Sequence, residues 1–224
     1  MASRPPAERI EMPQTTGSAS KEHTPRIGGI VLCGGKSSRM GQPKAWLPFG
    51  DEVLLQRVVR ILGEVVSPIV VVAAAGQELP PLPPAVLITR DEREALGPVG
   101  GLAAGCAALR GRADAAYVSA CDVPLLMPAI VRHICGQLGD SDIAIPVDGQ
   151  FPHPLAAVYR LSLEQRVHEL LAAGRLRPIF LWEGAKVTFI PVDSLRDIDP
   201  RLDSFRNANT PEEFEAIRAL VRRP

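Results

Sequence analysis

Gly29-Ile30-Val31-Leu32-Cys33-Gly34-Gly35-Lys36-Ser37-Ser38-Arg39-Met40-Gly41-Gln42-Pro43-Lys44 begins as a wholly apolar run and breaks into glycines, hydroxyls and cations. A short run without alternation suits a strand buried on both faces, and the glycines end it. Downstream, Leu54, Val58, Ile61, Leu62 and Val65 recur at helical spacing, and Pro68 introduces a second apolar run, Ile69 to Ala73. Together they predict a β-α-β unit. The proline-rich stretch Leu79 to Pro84 is a surface connector, followed by a strand at Val86-Leu87-Ile88, a glycine-rich turn, a helix over Leu102 to Leu109 and a strand at Ala115 to Ser119. Continuous apolar strands separated by helices predict an α/β fold with a parallel sheet covered on both faces.

The second half carries strands at Ile143-Ala144-Ile145 and at Leu155 to Tyr159, and a late strand over Lys186 to Val192. Ser162-Leu163-Glu164-Gln165 has the pattern of a capping box opening a helix that closes at Gly174. Thr210-Pro211-Glu212-Glu213 combines an N-cap threonine, proline at the first helical position and glutamate at the third. Residues 1–26 are polar, contain four prolines and show no period, so they are expected to be a disordered tail before one domain over 27–224.

Within 224 residues, 25 Lys+Arg balance 25 Asp+Glu, which supplies no bulk field for a nucleic acid or an anionic membrane. The longest apolar run, Ile69 to Ala75, is far short of the ~20 residues that span a bilayer. The start MASRPPAERI lacks the apolar segment of a signal peptide, so the expected location is the cytoplasm, with no nucleic-acid or membrane partner. Cys33, Cys106, Cys121 and Cys135 are scattered without metal-site spacing and read as reduced, buried residues.

The glycine loop follows a strand, and loops at the carboxyl ends of parallel strands line the ligand crevice. Glycines let backbone N–H groups approach an anion, Ser37 and Ser38 add donors, and Lys36, Arg39 and Lys44 place three positive charges in nine residues. Phosphate is the natural ligand. A P-loop would need glycine at position 30, which is Ile30, and G-x-G-x-x-G is absent because the glycines run 34, 35 and 41.

Leu32-Cys33-Gly34-Gly35-x-Ser37-Ser38-Arg39-Met40-Gly41-x-Pro43-Lys44 resembles the signature of the GT-A-like nucleotidyltransferases, and its Gly-Gly form most resembles the molybdenum cofactor guanylyltransferases. The resemblance implies a three-layer Rossmann-like nucleotidyltransferase domain with a mainly parallel central sheet. It implies that the loop, through Leu32, Cys33, Gly34, Gly35, Ser37, Ser38 and Lys44, wraps the triphosphate of GTP, with Arg39 neutralising departing pyrophosphate. Catalytic roles then fall to Arg39, Lys44 and Asp122.

Asp122, in Cys121-Asp122-Val123-Pro124, ends the Tyr117-Val118 strand and faces the same crevice. A carboxylate there suits Mg²⁺, which takes one or two carboxylates plus phosphate oxygens; the plainer alternative is a turn or cap aspartate before Pro124. The resemblance assigns Asp122 to Mg²⁺ and nucleotide together. Asp91, ahead of Gly97-Pro98-Val99-Gly100-Gly101, could accept the N–H donors of guanine or be a solvated loop residue; the resemblance places Asp91, Gly97 and Gly101 in the nucleotide site. Two further segments, Phe151-Pro152-His153-Pro154-Leu155 and Asn207-Ala208-Asn209-Thr210-Pro211, are similar to family features. His153 reads as a structural turn residue, and Asn209 and Thr210 as capping groups bordering the acceptor pocket. The chain departs from the family where Ala73-Ala74-Ala75 stands in place of an asparagine after the second strand, and where Cys33 replaces alanine.

The implied reaction is GMP transfer from GTP to the terminal phosphate of molybdenum-molybdopterin, with pyrophosphate released. Its implied partners are molybdenum-insertion and molybdoenzyme-maturation proteins. A phosphate monoester is mostly dianionic at pH 7, so no protein base is needed. A CTP-using or sugar-phosphate transferase of the same fold and a non-catalytic GTP-binding delivery protein are the competing readings.

Overall fold

The computed structural model describes residues 24–34, 40–91 and 96–221. The first strand, β1 (Ile27–Leu32), is central because both its faces are apolar. It pairs in parallel with β4 (Ile69–Ala74) and β6 (Ala115–Ala120), in the registers Val31↔Val71 and Val31↔Ser119. Just ahead of it, Arg26 is held to Asp114, whose backbone N–H it also accepts.

A small ribbon of β2 (Pro48–Phe49) and β3 (Glu52–Val53) leads into α1 (Leu54–Gly63), whose apolar face is fully buried. Next come β5 (Leu87–Asp91), α2 (Gly97–Leu109) and α3 (Pro128–Gly136). The chain then adds β7 (Ile143–Asp148), β8 (Phe151–Pro152), β9 (Ala156–Arg160), α4 (Glu164–Ala172), β10 (Val187–Pro191) and α5 (Pro211–Val221). Among the described residues the main sheet runs β10-β7-β9-β6-β1-β4-β5, with β8 on β7. β9 is antiparallel to β6 and β7, and the other pairings along that order are parallel. The sheet is thus mixed α/β and mainly parallel, with one apolar core on each face and a third beside α5.

Three local expectations change. The glycine-rich turn at Gly97 to Gly101 is the first part of α2, with Pro98 in its opening turn. Glycine's poor helix propensity is overridden by close approach: a Cβ at Gly105 would lie 2.7 Å from the Ile30 side chain, and one at Gly101 2.9 Å from Leu32. Ser162 opens no capping box. Leu161–Leu163 is a 3₁₀ turn, α4 starts at Glu164 without a side-chain cap, and Glu164 reaches Arg110 at 2.6 Å instead. Helix α3 was not anticipated, although Pro128 opens it and Ile130, Val131 and Ile134 form its buried stripe.

Cys106, on the buried side of α2, has its thiol pushed up to about 12 by burial, with the Glu164 carboxylate adding to the effect. The unfolded thiol ionises near pH 8.5. Above that pH the unfolded chain binds fewer protons than the folded one, so stability present at neutral pH is lost as pH rises towards 12. Between pH 7.5 and 10 the wild type should lose about 2 kcal/mol more than Cys106→Ala in urea unfolding. Equal losses in the two proteins would contradict it.

Candidate active site

The carboxyl ends of β1, β4 and β6 form one edge, and the third core brings distant segments to it. Met40, Leu47, Phe49 and Leu54 pack with Ala208, Phe214 and Ile217, tying the segment after the glycine loop to the start of α5. Lys44 thereby meets the Asn207–Asn209 stretch. Its Nζ lies 2.5 Å from Asp122 Oδ2 and 2.9 Å from Asn209 Oδ1. The Lys44 and Asp122 side chains are only 18% and 9% exposed, so water screens the pair poorly.

Asp122 and the turn that follows it are held by three further contacts. Asn207 Nδ2 donates to its Oδ1 at 2.9 Å, the Ala208 N–H donates to its backbone carbonyl at 2.9 Å, and the Arg57 guanidinium bonds the carbonyl of Pro124 at 2.6 Å. At α5, the Thr210 hydroxyl accepts from the Glu213 N–H, while the Glu213 carboxylate accepts from the Asn209 N–H at 2.8 Å. This capping fixes the Asn209 backbone, and its side chain serves Lys44.

At the end of β1, Cys33 is buried and its N–H donates to Val72. Its thiol is hydrogen-bonded to that of Cys121, a contact that, with burial, pushes the Cys121 thiol up. Gln77 closes the same edge: its Nε2 donates to the Cys33 carbonyl at 3.1 Å and its Oε1 accepts from the Ala74 N–H at 2.9 Å. Sequence reading found only alanines after β4 and missed Gln77, because a glutamine three residues past a strand carries no periodic signal.

The structure brings Lys44, Asp122, Asn207 and Asn209 together and sets Cys33 and Gly34 on the neighbouring strand end. Leu32 packs its side chain towards Gly101, which is buried inside α2. Asp91 ends β5 rather than lying in a loop, and its carboxylate occupies the space a Cβ at Gly100 would fill, 2.7 Å away. Gly97 opens α2 at φ +59°. Asp91 therefore lies three strand spacings, roughly 14 Å, from Asp122 along the same edge. Gly35, Lys36, Ser37, Ser38 and Arg39, and positions 1–23 of the expected tail, lie outside the described residues.

The donor set fits a metal that arrives with its own ligands. A carboxylate offers about four lone-pair sites, and Lys44 and Asn207 use two of those on Asp122. Among the described residues no group of three or more His, Cys, Asp or Glu side chains forms a closed cation site. One carboxylate completed by phosphate oxygens and water is the usual Mg²⁺ arrangement.

The chain matches the MobA-like NTP transferase domain family over residues 29–187. It is 33% identical over 194 residues to a probable molybdenum cofactor guanylyltransferase of Pelotomaculum thermopropionicum, covering 86% of this chain and 92% of the relative. A protein of the same description from Mycobacterium bovis is 42% identical over 156 residues, covering 66% and 75%. In fold, the chain is similar to the crystal structure of molybdopterin-guanine dinucleotide biosynthesis protein A from Archaeoglobus fulgidus. That similarity has a TM-score of 0.70 at 24% identity, over 87% of this chain and 98% of that one. No helix among the described residues is long and apolar enough to cross a membrane.

Proposed function

This chain belongs to the MobA-like NTP transferase family and is a nucleotidyltransferase, and from that premise we propose that it transfers GMP from GTP to the terminal phosphate of molybdenum-molybdopterin, forming the guanine dinucleotide and releasing pyrophosphate. The observation that carries this reading is the part-buried Lys44–Asp122 pair, braced by Asn209 and Asn207 at the ends of β1 and β6.

An oxygen of the acceptor phosphate forms the new bond to the α-phosphorus while the bond from that phosphorus to the pyrophosphate oxygen breaks. The nucleophile is already an anion, so the protein's task is alignment and charge neutralisation. Lys44, oriented by Asn209, presents its ammonium to the phosphates. The triphosphate is assigned to the backbone of Leu32, Cys33 and Gly34 together with Gly35, Ser37 and Ser38, and neutralisation of the leaving pyrophosphate to Arg39. Asp91, Gly97 and Gly101 serve the guanine end, and the separation of Asp91 from Asp122 suits an elongated nucleotide lying across the strand ends. Asp122 would hold Mg²⁺, which when bound supplies further charge neutralisation at the phosphates.

Each of the four nucleoside triphosphates, incubated with Mg²⁺ and molybdenum-loaded molybdopterin, tests the reading through pyrophosphate release and the pterin product. GTP should be preferred. Preference for CTP would replace guanylyl by cytidylyl transfer, and GTP binding without pyrophosphate release would leave a delivery protein.

A further inference from the structure

Strands β1 and β4 form a parallel ladder through Leu32↔Val72, and the Cys33 N–H extends it by donating to the Val72 carbonyl at 2.8 Å. The next rung of a parallel pair would join the Ala74 N–H to the Cys33 carbonyl. A side chain stands in its place. Gln77 Oε1 accepts from the Ala74 N–H at 2.9 Å, and Gln77 Nε2 donates to the Cys33 carbonyl at 3.1 Å, with the Cys33 sulfur 3.5 Å away. Those partners leave the carboxamide one orientation, because an N–H only donates and a carbonyl only accepts. The two strands part by the width of an amide where β1 passes into the glycine loop.

Alanine at 73, 74 and 75 offers no polar side chain for that gap, so it falls to Gln77 from across the turn. The turn is itself held. The Gln77 N–H donates to the Ala74 carbonyl at 3.2 Å, and Arg90 Nη1 donates to the carbonyls of Ala74 and Gln77, each at 3.0 Å. Gly34 fits closely beside it: a Cβ there would lie 3.3 Å from the Ala74 nitrogen.

A trans peptide points its carbonyl and its N–H in opposite directions. With the Cys33 carbonyl fixed on the β4 side, the Gly34 N–H points to the β6 side, where the Cys121 N–H donates to the Leu32 carbonyl at 3.1 Å and Asp122 follows. Rotation of this one peptide would exchange a donor for a carbonyl oxygen, which repels phosphate. Resting on the nucleotide reading above, we propose that Gln77 is a positioning residue for the triphosphate, holding the Cys33–Gly34 peptide so that its N–H meets the phosphates, while Arg90 keeps Gln77 in place. The effect acts on phosphate and is blind to the base.

Calorimetric titration with Mg²⁺-GTP, Mg²⁺-CTP and inorganic tripolyphosphate with Mg²⁺ tests this. Gln77→Leu, close in volume but without polar atoms, should weaken all three by a similar factor of about ten. Gln77→Asn, one methylene shorter and unable to span both partners, should do nearly the same, and it decides if Gln77→Leu does not fold. Arg90→Ala should weaken binding by about threefold in the wild type and add little to Gln77→Leu, since the two act in series. In turnover, KM for GTP should rise while KM for molybdopterin stays within about twofold. Unchanged tripolyphosphate affinity in a folded Gln77 variant, even one with a lowered urea midpoint, would overturn the proposal. A loss confined to GTP would overturn it too, by making Gln77 a base contact. An equal loss for all three, with CTP preferred in turnover, would instead overturn the guanylyl reading and leave the role of Gln77 standing.

Discussion

Asp122→Ala should lower Mg²⁺-dependent pyrophosphate release by about 10²–10³-fold, because under the proposed reaction it removes a charge-organising group at the reacting phosphates. The carboxylate is the shared acceptor of Lys44 and Asn207, so its loss also releases the lysine's alignment. Lys44 keeps Asn209 and is partly exposed, so folding should survive with a stability loss of about 1–3 kcal/mol. Asp122→Asn separates the two effects. It preserves volume and a hydrogen-bonding oxygen yet lacks the negative charge, and its turnover should fall nearly as far while its urea midpoint stays close to wild type. Near-normal turnover in either variant, measured at saturating GTP and Mg²⁺, would remove Asp122 from the site.

The second large effect concerns the frame that aims this edge. Gly105→Val should destabilise the protein by about 3 kcal/mol, a loss of roughly 6–12 °C in Tm. Its Cβ would fall 2.7–2.9 Å from three carbons of Ile30, a fully buried residue on the central strand that has nowhere to retreat. Gly105→Ala should cost less, since alanine's better helix propensity offsets part of the clash by about 1 kcal/mol. Pairing Gly105→Ala with Ile30→Val should recover stability beyond the sum of the single changes. A wild-type melting temperature for Gly105→Val would mean that α2 does not approach β1 this closely.

Legibility followed the range of the interaction. Strands β1, β4 and β6 were readable because burial on both faces leaves an unbroken apolar run, and α5 because Thr210, Pro211 and Glu213 act within one helical turn. Helix α4 was misread at its start because Gln165, the residue that the local pattern assigned to the cap, donates to Glu169 instead, while the neighbouring Glu164 is held by Arg110 from another element. Gln77 was invisible because its partners, Cys33 and Ala74, lie on two different strand ends.

By itself the sequence determined the α/β class, the order of the main-sheet strands apart from β8, and the placing of a glycine-rich loop and Asp122 at strand ends, since each follows from periodicity or from short-range backbone chemistry. It also supplied the family resemblance through one contiguous motif. Only the tertiary structure decided that Asn207 and Asn209 brace Asp122 and Lys44, that Gly101 packs against Leu32, and that His153, Phe205, Ser119 and Ala156 enclose a cavity beside them. Those pairings join residues up to 165 positions apart, and they are set by how the sheet stacks its strands and by the third core that draws α5 across the edge. No local pattern encodes such distances, because each is a sum of packing choices made along the whole chain.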